Sequence, residues 1–153
     1  MQGTITRLYP PPGLETRLPG VYLDHRLHTR GGSGRPYVYS NFITTLDGRI
    51  AVASEGRTSH EVPKQTVNAR DWRLYQELAA QADLLITSAR YFRQLARQEA
   101  QAELPIGSSH EFDDLREWRV SQGLSPQPDI AVFSASLDIP VESLRQYPVS
   151  YTH

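Results

Sequence analysis

The sequence predicts an α/β domain with a partly parallel sheet, and three observations carry that expectation. Residues 69–82 repeat apolar side chains at helical spacing. A run of branched apolar residues follows directly at 83–87, and a similar run recurs at 129–134 after two more helical stretches. Strands that alternate with helices in this way pair in parallel, because each connection must cross from one end of the sheet to the other.

The elements follow in chain order. Residues 1–35 are rich in proline and glycine, with Pro10-Pro11-Pro12-Gly13 and Gly31-Gly32-Ser33-Gly34 as turn or linker signals. This region reads as an extended N-terminal arm draped over a domain that spans 36–153. Gly20-Val21-Tyr22-Leu23 within it fits a short strand or a single helical turn. The domain opens at Pro36 with a predicted strand over 37–44, dense in β-branched and aromatic residues. Leu46-Asp47-Gly48-Arg49 leads to a second apolar run at 50–52, and then a polar loop runs over 54–66.

The helix over 69–82 starts at Asn68, with Asp71 three residues on, a relative of the capping box. Trp72, Tyr75, Leu78, Ala79 and Ala82 form its apolar stripe. Asp83-Leu84-Leu85-Ile86-Thr87 is a predicted buried strand, and helices are expected over 91–102 and 112–121. Phe112, Leu115 and Trp118 point inward on the latter, and Gly123 is placed to end it in the left-handed conformation. Residues 129–134 are the last predicted strand. The pattern then calls for another βα unit, so the reading expects a further segment or a partner subunit to complete the sheet and cover its edge.

Composition narrows the function. The 153 residues carry 16 basic and 17 acidic side chains, which gives no field for nucleic acid or an anionic membrane. A small anionic substrate needs only one or two placed arginines. With no cysteine, thiolate zinc, iron–sulfur and disulfide chemistry are excluded. Met1 to Pro12 lacks a basic stretch followed by an apolar run, and no apolar run approaches the roughly 20 residues of a membrane span. A cytoplasmic setting is therefore expected.

Two segments could carry chemistry, and each has two readings. Asp47-Gly48 between apolar runs is a common hairpin turn. Alternatively, the hydroxyls of Thr44 and Thr45 beside a glycine suit a ligand's phosphate or amide. Thr87-Ser88-Ala89-Arg90 lies where a strand yields to a helix, a place where open α/β sheets bind ligands and helix N–H groups favour phosphate. The alternative there is an N-cap by Ser88 with a solvated arginine. Gly31 to Gly34 reads as linker, His25 and His28 are a weak metal hint, and His60 and His110 read as solvated. No metal site is predicted.

Arg35-Pro36-Tyr37-Val38 through Leu46-Asp47-Gly48-Arg49-Ile50-Ala51 resembles the opening of the pyrimidine reductase family of riboflavin biosynthesis. The similarity continues through 71–88 and 129–140, including Ser134-Ala135-Ser136-Leu137-Asp138. The resemblance implies a dihydrofolate-reductase-like fold, a mixed and mostly parallel sheet flanked by helices. It implies hydride transfer from NADPH to a phosphorylated aminopyrimidine, 5-amino-6-(5-phosphoribosylamino)uracil, opening its ribose to a ribitylamine, and it implies a homodimer. Carried onto this chain, Asp47 takes the catalytic position, Thr45, Thr58 and Ser59 approach the substrate, and Thr44, Gly48, Thr87, Ser88 and Arg90 face the cofactor. The family's later glycine-rich stretch has no counterpart before His153, so the chain is expected to be truncated at its C-terminus. The alternatives are a related reductase of another small heterocycle and a non-catalytic ligand-binding fragment.

Overall fold

The computed structural model describes residues 3–53, 60–62, 64–66, 68–100 and 103–144. The arm is ordered. Strand β1 (Thr4–Arg7) pairs antiparallel with β2 (Leu14–Arg17), from Thr4 opposite Arg17 to Arg7 opposite Leu14. The three prolines fall in the connection, where a missing N–H costs no ladder bond. Two 3-10 turns follow, Leu23–His25 and Leu27–Thr29, joined by Arg26 in the left-handed region at φ 50°.

Residues 37–44 form no strand, contrary to the sequence expectation. β-propensity expresses how well a side chain packs in a sheet, and it creates no ladder without a partner strand. Here the segment runs irregularly, with Val38 and Phe42 exposed. The run after it is shortened to β3 (Val52–Ala53), which pairs antiparallel with β4 (His60–Glu61).

The remaining elements lie close to their predicted places. Helix α1 (Ala69–Ala80) begins where expected, the side chain of Asn68 accepting the Arg70 N–H at 2.8 Å. Strand β5 (Leu84–Ser88) leads into α2 (Ala89–Ala96), which starts two residues earlier and ends well before the predicted 102. A 3-10 turn at His110–Phe112 opens α3 (Asp113–Ser121), and Gly123 ends it at φ +78°. Strand β6 (Asp129–Phe133) pairs with β5 in parallel, Leu85 opposite Ile130 and Thr87 opposite Val132, and α4 (Val141–Leu144) follows. The described architecture is thus mixed α/β, with one parallel pair and two antiparallel pairs.

Alternation along the parallel pair divides its faces. Leu85, Ile130 and Val132 turn to the helices, joining two apolar clusters. One gathers Ala79, Ala80, Ile106, Phe112 and Leu115, and the other Phe92, Ile130 and Leu144. Gly107 has no room for a side chain, since a Cβ there would meet the Phe112 ring at 2.8 Å. Leu84, Ile86 and Phe133 occupy the opposite face and are exposed, so β5 is covered on one face only and is not the buried strand the sequence predicts.

The predicted stripe of α1 faces the core, with Ala79 buried, Trp72 and Tyr75 packed on the same cluster, and Leu78 and Ala82 half-buried. Burial extends beyond it, because Arg73, Gln76, Glu77 and Gln81 are buried as well. Arg73, Glu77 and Gln81 bond to the arm and to the region of α3, and Gln76 Oε1 accepts the Gly107 N–H at 2.9 Å, which makes burial of such groups tolerable. The buried Gln76 Nε2 has no hydrogen-bond partner among the described residues.

Candidate functional site

The C-terminus of α1 is a junction. The last carbonyls of any helix lack partners within it. In α1 two distant side chains supply donors. Tyr39 donates its hydroxyl to Leu78 O at 2.7 Å. Arg119, 1% exposed, donates Nη1 to Ala80 O at 2.8 Å and Ala82 O at 2.6 Å, and Nε to Ser125 O at 2.6 Å. A cation there also complements the helix dipole.

Beside this junction opens a cleft of about 930 Å³. One wall is the end of α1 with β5, from Tyr75 to Thr87. The other is the end of the arm together with residues 36–42. Apolar groups dominate the lining, among them Leu27, Val38, Phe42 and Leu84, while His28, Arg35, Tyr39 and Asp83 supply polar functions. Burial and the neighbouring carboxylate of Asp83 push the Tyr39 phenol up to about 12, so it stays a neutral donor across the physiological range. Burial lowers the Arg119 guanidinium, with the charge of Asp83 the main opposing influence.

The sequence-predicted residues divide around this cleft. Thr87 lines it, at the carboxyl end of β5. Ser88 holds the N-cap position of α2 without a side-chain cap bond, and Arg90 is exposed in the first turn of that helix. Thr44, Thr45, Asp47 and Gly48 lie just past the lining segment and form a tight turn. In it Thr45 N–H donates to Arg49 O at 2.9 Å, Gly48 N–H donates to Thr45 O at 2.8 Å, and Gly48 sits at φ +82°. The Asp47 carboxylate is engaged locally, accepting from the Thr45 hydroxyl and pairing with Arg49 at 3.1 Å. Thr58 and Ser59 lie outside the described residues.

Sequence reasoning missed Tyr39 and Asp83 as cleft groups. Tyr39 counted only as a strand residue and Asp83 only as a strand start, so nothing marked them as facing one another across the chain. Among the described residues no cluster of His, Asp or Glu is arranged to hold a metal ion, and no helix is long and apolar enough to cross a membrane. Compared with protein-family models, with curated proteins and with solved structures, the chain matches none.

Proposed function

We propose that the chain binds a nucleotide-type cofactor, NADPH, in the cleft at the end of β5 and serves NADPH-dependent reduction of a phosphorylated aminopyrimidine on a dihydrofolate-reductase-like core. The observation that carries the reading is the position of the cleft, which reaches Thr87 where β5 gives way to α2. Ligands of open α/β sheets collect at carboxyl strand ends, and helix N–H groups there favour phosphate. The volume of about 930 Å³ is of the order such ligands need. The sequence resemblance of the Arg35–Ala51 stretch supports the same assignment.

A reduced nicotinamide supplies the hydride when bound. The chain's own residues bind and orient. In this reading Thr87, Ser88 and Arg90 hold the cofactor's phosphates, and Thr44 and Gly48 border it. The apolar lining excludes water, and the neutral Tyr39 hydroxyl offers a fixed dipole at the floor of the cleft. Asp47, with Thr45 beside it, serves the substrate side, which requires its carboxylate to exchange the Arg49 pair for a ligand. The setting is cytoplasmic and the working form a homodimer.

A second reading, a ligand-binding module without catalysis, is favoured by one observation: the Asp47 carboxylate is satisfied within its own turn and lies outside the cleft lining. Thermal-shift titration separates the two from a chain that does neither. Saturable stabilisation by NADPH over NADH, growing with the logarithm of ligand concentration, is the expected result. Turnover of the aminopyrimidine substrate then distinguishes enzyme from binding module. A cooperatively melting protein that NADPH does not shift would sink the cofactor assignment.

A further inference from the structure

The arm is held by side chains that the sequence pattern places on the polar side of α1. Glu77, 0% exposed, accepts the N–H groups of Gly20 at 2.6 Å and Tyr22 at 2.9 Å, and pairs with Arg73 at 3.0 Å. Gln81, 1% exposed, accepts the Leu27 N–H at 2.8 Å and donates its amide to Tyr22 O at 2.7 Å. Leu18 is fully buried at the start of this stretch. Buried polar groups bonded in this way fix one arrangement, because releasing any of them strands a desolvated partner.

The same stretch forms part of the cleft. Leu27, His28, Gly31, Gly32, Ser33 and Arg35 line it together with residues of β5, Leu84 among them. We infer that residues 18–35 are a strap whose docking on α1 builds one wall of the cleft, and that Gln81 is the positioning residue that sets the wall's place. Docking of the strap and formation of the cleft are then one equilibrium, and a ligand that binds the formed cleft draws on it. The Gly31 to Gly34 run is in this view a bend in the wall, with Gly34 at φ +77° and the backbone closed between Gly32 and Arg35.

The chain has no cysteine, so a pair introduced across the cleft reports without background. Ser33→Cys and Leu84→Cys place one thiol on the strap and one on β5, both at exposed positions. The rate of crosslinking by a short bismaleimide is measured in this double variant with and without Gln81→Met, which keeps the side-chain volume and removes both strap bonds. The expected result is slower crosslinking with Gln81→Met and, because amide exchange follows the docking constant itself, exchange of the Gly20 and Tyr22 N–H groups sped roughly tenfold, with a cooperative melt and hydrogen-exchange protection in α1 and β6 retained. Equal rates in the two backgrounds would overturn the inference. If Gln81→Met melts globally, Gln81→Glu replaces it, keeping an acceptor for Leu27 N–H and losing the donor to Tyr22 O. Global melting of both would reduce Gln81 to a fold residue and overturn its positioning role. The measurement uses no ligand, so failure of NADPH to bind removes the reductase reading and leaves this one to be decided by the crosslinking rates.

Discussion

At the scale of the residue, Arg119 and Tyr39 illustrate how side chains far apart in sequence finish a helix. Arg119→Met keeps the aliphatic bulk and removes the donors to Ala80 O, Ala82 O and Ser125 O. Each carbonyl left dry costs on the order of 1–3 kcal/mol, with partial rescue by water at the half-buried end. A loss of about 2–4 kcal/mol in urea unfolding is therefore expected, and a change within experimental error would show that the guanidinium is a passenger. Tyr39 makes a pH prediction. Its phenol is held at about 12, mainly by burial, against the ordinary 10. The folded state thus keeps a proton that the unfolded chain sheds above pH 10. The resulting contribution is fully present below pH 10 and declines as pH rises towards 12. Tyr75, also pushed up to about 12 by burial, adds to the same decline. Melts of Tyr39→Phe between pH 9 and 12 should show a shallower fall than the parent, and parallel curves would refute the linkage.

At the scale of the element, the sequence was most legible where one signal and one partner agree. Asn68 marks the start of α1 by its own side chain, Gly123 marks the end of α3, and the alternating apolar run at 129–133 finds β5. The failures share a cause. Residues 37–44 have the composition of a strand, yet a strand is a property of two chains and no pattern within one segment names the second. The polar side of α1 was unreadable for a related reason. Arg73, Glu77 and Gln81 look like a solvated face until Gly20, Tyr22 and Leu27, over fifty residues earlier, are laid on it. Of the candidate site, Thr87 at a strand end was legible from element order alone. The Asp47 turn was legible as a turn, its simpler reading. The cleft was not, because its walls come from the arm and from an irregular segment.

At the scale of the whole molecule, order is unevenly distributed, and that distribution can be measured. The two apolar clusters tie α1, α2, α3 and the β5–β6 pair together, while residues 36–51 contribute few backbone bonds beyond the Thr45 to Arg49 turn. Regions with exposed apolar side chains and little backbone bonding open at low free energy, and core helices open near the global value. Arg49 has 69% of its side chain exposed, whereas Arg73 and Arg119 are buried. Limited trypsin digestion under native conditions should therefore cut after Arg49 well before Arg73 or Arg119. If the cleft binds its ligand between β5 and residues 36–42, saturating ligand slows the Arg49 cut, because the bound segment must open against the binding energy as well. Cleavage after Arg73 at a comparable rate would mean that α1 is not the rigid floor on which arm, cleft and α3 converge.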